Sequence, residues 1–96
     1  MDVSEAQRIA LEARRKMLDA RPKDTVPPLP HSISPIPATC VTYFRTAAFL
    51  YLMAQEAFAA GDVDVGLTYE FSAFQHLSLG QACLASTGML DEWSPS

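Results

Sequence analysis

Residues 38–67 read ATCVTYFRTAAFLYLMAQEAFAAGDVDVGL, and the fold turns on them. Two long helical patterns meet there around a glycine–aspartate pair. The first is expected over residues 38–60, with Thr39 as its cap and Ser34 as the competing one, and Gly61 at the left-handed position that closes a helix. Asp62 or Asp64 then caps another helix running to about residue 86. A connection this short implies an antiparallel helical hairpin.

On a wheel of about 100° per residue, one face of the first of these helices carries Tyr43, Ala47, Leu50, Tyr51, Ala54, Ala57 and Phe58. This face is expected to pack on the following helix. The opposite face holds Arg45 and Glu56, but also Val41, Ala48, Phe49 and Leu52, with Met53 at its edge. The following helix shows a core face of Leu67, Phe71, Phe74, Leu77, Leu84 and Ala85, with Glu70 and Gln81 intruding. Gly80, inside that helix, marks close packing or a kink.

Residues 57–67, with Gly61-Asp62 at the turn and Gly66 and Ala73 at small-residue positions, resemble the hairpin of a tetratricopeptide repeat. The resemblance covers one hairpin. No second repeat is present, and Glu70 stands where that pattern has an aromatic.

Upstream, a helix is expected from about Ser4, its cap, to Ala20, where Pro22 ends it. Its stripe of Ala6, Ile9, Ala10, Ala13, Met17 and Ala20 is well spaced but small. Arg8–Glu12, Glu12–Lys16 and Arg15–Asp19 are candidate ion pairs one turn apart, and Leu11 and Leu18 form a separate stripe. Between this helix and the hairpin lie six prolines, with Val26, Leu29, Ile33 and Ile36 interleaved. That pattern favours an extended strap lying across the helices. Pro27-Pro28-Leu29-Pro30 also has the minimal spacing recognised by aromatic grooves.

The fold class expected is therefore all-α, one domain overall. An amphipathic helix (1–21) joins a helical hairpin (38–90) through a proline-rich strap (22–37), a polar tail follows (91–96), and oligomerisation completes the bundle.

Composition narrows the function. The formal net charge of −4 disfavours nucleic acid and anionic membrane as main partners. Arg14-Arg15-Lys16 is interleaved with acids and has no aromatic platform. The longest uncharged helical run, Thr46 to Gln55, is about half of a membrane span. Cys40 and Cys83 are read as reduced thiols of a cytoplasmic protein, each acting as a small apolar side chain. The N-terminus shows no basic-then-apolar pattern of a secretory signal. No asparagine and two lysines among many alanines fit a GC-rich bacterial or phage coding sequence.

No catalytic, metal or cofactor constellation emerges. His76 and Cys83 are two helical turns apart, about 10 Å, too far to share an ion directly. Glu70, among apolar neighbours, is either exposed at its tip, the favoured reading, or an interface anchor meeting an arginine such as Arg14 or Arg15, of its own arm or of another chain.

The function expected is a non-enzymatic protein–protein interaction module, an adaptor, inhibitor or regulator. Its partner is another protein or a second copy of itself. The candidate binding residues are Val41, Phe49, Leu52 and Met53, then Leu11 and Leu18, and Glu70. The alternative is a dimeric nucleic-acid-binding regulator using the basic N-terminal helix.

Overall fold

The computed structural model describes residues 2–25 and 39–87. They form three helices and no strand: α1 (Val3–Ala20), α2 (Cys40–Ala59) and α3 (Val63–Thr87). Residues 26–37 of the proline-rich strap, His31 among them, and the segment from Gly88 through Ser96 lie outside the described residues.

α1 begins two residues earlier than expected on its cap. Asp2, not Ser4, is the N-cap, its Oδ1 accepting from the Glu5 amide at 2.8 Å. Starting there brings Val3 onto the buried stripe with Ala6, Ala10, Ala13 and Met17, so burial of one more branched side chain favours the earlier start. At the other end the Arg21 amide donates to Met17 O at 3.0 Å. Pro22 has no amide with which to continue the ladder. The three ion pairs form on the outer side: Arg8–Glu12 (3.7 Å), Lys16–Glu12 (3.9 Å) and Arg15–Asp19 (3.7 Å).

Thr39 caps α2, with Oγ1 accepting from the Thr42 amide at 3.1 Å. The turn to α3 is a Schellman closure: Gly61 N–H donates to Phe58 O and Asp62 N–H to Ala57 O, at 3.0 and 2.9 Å. Gly61 has φ +83°, which a side chain would strain. Asp62 Oδ1 then receives the Val65 amide at 3.4 Å and starts α3.

Three contacts set the hairpin register. The Phe58 ring lies over Gly66 and the Phe44 ring over Gly80, where a Cβ would overlap each ring. At the open end Cys40 and Cys83 are joined by a disulfide, with Cα atoms 5.4 Å apart. The expected reduced thiols are therefore corrected: the antiparallel register lays the first residue of α2 beside the last turns of α3. The thiol argument for a cytoplasmic location falls with them. Among the described residues no helix is long and apolar enough to cross a membrane.

The core face of α3 also differs from expectation. Gly66, Glu70, Ala73, Leu77, Gly80 and Leu84 are buried, whereas Phe74 and Ala85 are exposed and Leu67 and Phe71 are half-buried. The buried set repeats every 3.5 residues, the seam of closely aligned helices. It is built from small residues because α2 supplies the bulk through Phe44, Tyr51 and Phe58, also seven residues apart.

α2 is the central helix, packed against both neighbours, while α1 and α3 touch each other little. Arg14 lies against the Tyr51 hydroxyl and Arg21 against Glu70. In the hairpin register Glu70 stands opposite Ala54, on the turn side of Tyr51. Moving along α1 from Arg14 to Arg21 therefore advances toward the turn, in the direction of α2. The reverse direction would carry the buried Val3 and Ala6 past the end of α2. α1 and α2 run parallel, α3 antiparallel to both, and Thr25 and Thr39 lie toward opposite ends of the layer.

Candidate interaction surface

Because α1 and α3 both pack on one side of α2, the opposite side of α2 is left without a helical neighbour among the described residues. The buried positions of α2 are Tyr43, Phe44, Ala47, Ala48, Tyr51, Ala54 and Phe58, an arc of somewhat over a third of the wheel. Diametrically across run Arg45, Phe49, Leu52 and Glu56, all exposed. Their spacing of four, three and four residues is that of another 3.5-residue seam.

Phe49 is 61% exposed and Leu52 45%. Each leaves roughly 1–2 kcal/mol of burial unrealised. Val41 and Met53 are half-buried at the borders of this stripe, and Ala48 is taken into the core. Thr42, Arg45, Thr46 and Phe49 line a shallow, open depression of about 300 Å³. Arg45 and Glu56 make no ion pair with any described residue, so the stripe carries a cation at one end, an anion at the other and two apolar side chains between.

Leu11 and Leu18 are exposed on α1, but they do not join this surface. They share a helical face with Arg14, which turns toward Tyr51 and Glu70. They border the cleft between α1 and α3, on the far side of the α2 axis from Phe49. Phe74 stands on the α3 rim of that cleft.

The floor of the cleft is polar. Glu70 is 8% exposed, and its Oε1 lies 3.1 Å from Arg21 Nε, with Arg14 close by. The favoured expectation of an exposed tip is thus corrected. Glu70 is buried and paired, and its close partner is Arg21 rather than Arg14 or Arg15. The contact is ionic, without the angle of a well-formed hydrogen bond. Burial raises the Glu70 pKa, while Arg21 and then Arg14 oppose that rise. Burial likewise pushes the Tyr51 hydroxyl up to about 12, against the attraction of Arg14. This cluster ties α1 to the hairpin. Its carboxylate is ion-paired within the chain.

The remaining chemistry is sparse. Both sulfurs are held in the disulfide, so neither is a thiolate nucleophile in this form. His76 Nδ1 donates to Ser72 O at 2.8 Å, an in-helix bond. Among the described residues no three His, Cys, Asp or Glu side chains converge as metal ligands would. The basic run is divided: Arg14 turns inward, and Arg15 and Lys16 face Asp19 and Glu12.

Two features escaped the reading of the sequence. Arg21 and Tyr51 as partners of Glu70 depend on the parallel placement of α1, which has no local signal. The disulfide did have one: reflecting the chain about the Gly61 turn lays position 40 on position 83. Compared with family models, curated proteins and solved structures, the chain matches none.

Proposed function

We propose that this chain is a non-enzymatic protein–protein interaction module, an adaptor, inhibitor or regulator of another chain, acting through the outer face of α2. The observation that carries the proposal is Phe49, the most exposed of the large apolar residues described, beside Leu52 on a regular seam. A contiguous apolar stripe at the spacing of helix packing is what a helix of another protein would cover. Phe49 and Leu52 supply the apolar anchors, Arg45 and Glu56 set orientation, and Val41 and Met53 form the borders.

The remainder of the molecule serves this face as a scaffold. The disulfide holds the open end of the hairpin, and the Glu70 cluster holds α1 in register, so α2 is presented rigidly. A preorganised helix binds without paying ordering entropy on contact. The disulfide also supports an oxidising setting for the working form. A nucleic-acid role for the Arg14–Lys16 run finds no support in its internally paired charges.

The test places a photo-activatable benzophenone side chain at position 49 of the full chain in its native cells, with position 8 on α1 as control. A covalent adduct with a protein chain is expected from position 49, absent from position 8 and lost on adding Leu52→Ser. No protein adduct from position 49 overturns the proposal.

A further inference from the structure

We propose that the occupant of the outer α2 face is a second copy of this chain, docked antiparallel about a two-fold axis that passes between Phe49 and Leu52. This rests on the preceding reading of that face as a protein-binding surface and names its partner. The argument comes from the order of residues along the stripe. Arg45, Phe49, Leu52 and Glu56 are exposed on one side of α2 at spacings of four, three and four. That pattern is symmetric about the middle of the helix, and its end charges are opposite.

A two-fold interface brings each residue against its mirror position on the other copy. With the axis at the centre of the stripe, Phe49 meets Leu52 of the second copy, and Leu52 meets its Phe49. Arg45 meets the second Glu56, and Glu56 the second Arg45. The stripe is therefore complementary to itself in both charge and size when the copies run antiparallel. A parallel pairing sets Arg45 on Arg45 and Glu56 on Glu56, which repel.

The flanks agree with this docking. The depression lined by Thr42, Arg45, Thr46 and Phe49 receives Glu56 of the second copy beside Arg45. The 3.5-residue spacing requires near-aligned helices crossing at about 20°, so contact persists over the whole stripe. The seams inside the chain repeat with the same spacing along α1 and α3, so the second copy extends the packing already present rather than adding a new kind.

The experiment measures solution mass by light scattering over roughly a hundredfold concentration range, on full-length oxidised protein. The variants are Arg45→Glu, Glu56→Arg, and the double variant with both changes. The parent chain is expected to form a dimer. Each single variant should weaken dimerisation by tenfold or more while far-UV circular dichroism stays unchanged, because like charges then face each other across the axis. The double variant should dimerise like the parent. Mixing the two single variants should restore a dimer containing one chain of each. A parent that stays monomeric, single variants that dimerise normally, or no rescue in the double variant and the mixture would each overturn the inference. If the parent is monomeric and position 49 still crosslinks to a different protein, the second-copy inference fails and the interaction reading stands. If no adduct forms either, both fail.

Discussion

Glu70 and Tyr51 show how a single residue's environment sets a measurable property. Glu70 keeps its proton to higher pH in the folded chain than in the unfolded chain, because burial outweighs its two arginines. The folded state then binds more protons, so the Glu70 contribution to stability is full below the ordinary glutamate range. It is lost as pH rises through the raised folded value. The difference in urea midpoint between the parent and Glu70→Gln, followed against pH, is expected to favour the parent increasingly toward acid. A flat difference would contradict this. Tyr51 behaves alike at the alkaline end. With its pKa pushed up to about 12, its contribution is lost as pH climbs from the ordinary tyrosine range toward that value. Ultraviolet absorbance should show one late tyrosine ionisation that disappears in Tyr51→Phe.

Gly80 makes a related point. Alanine normally gains about 1 kcal/mol over glycine inside a helix. Here a Cβ would come within 2.8 Å of the Phe44 ring, which is fully buried and has no room to swing aside. Overpacking of this kind costs roughly 1–3 kcal/mol. Gly80→Ala is expected to destabilise on balance in denaturant titration, and combining it with Phe44→Leu should recover part of the loss.

Among the elements, the hairpin was legible and its packing was not. The Thr39 cap, the left-handed Gly61 and the Asp62 start all form as local chemistry dictates, since each depends on residues within a few positions. The same holds for the ion pairs of α1. The buried face of α3 was misread because large apolar residues attract attention on a wheel. The actual seam places glycines, an alanine and a carboxylate where the aromatic rings of α2 need space. The Cys40–Cys83 bond joins the two helices across 43 residues of sequence. Loop-closure entropy over that length assigns it about 4 kcal/mol. The Cys40→Ser/Cys83→Ser double variant is expected to lose about 2–4 kcal/mol in urea unfolding relative to the oxidised parent, with helicity retained in water.

For the whole molecule, two helices packed on one central helix leave that helix covered on one side. Replacing Phe49 and Leu52 with serine removes one side chain that is mostly exposed and one that is nearly half exposed. Helical content is expected to be unchanged and, at protein concentrations low enough that parent and variant are both monomeric, stability to shift by less than about 0.5 kcal/mol, the usual range for surface sites. Association through that face should be abolished, as read by light scattering and by crosslinking at a neighbouring position such as Met53. Unchanged association would remove Phe49 and Leu52 from the interaction surface. A large loss of stability would show instead that they serve the fold.

The sequence by itself determined the helices, the hairpin turn and the presence of an apolar stripe on α2 that the hairpin cannot use. These follow from periodicity and from hydrogen bonds between near neighbours, which any short stretch carries within itself. The tertiary structure alone decided that α1 runs parallel to α2, that Glu70 is buried against Arg21, that Cys40 meets Cys83, and that Ala48 enters the core while Val41 becomes a border of the stripe. Each of these depends on which residues of distant segments share a level along the bundle. That is settled by how rings on one helix fit over glycines on another, a property of the pair that neither segment carries alone.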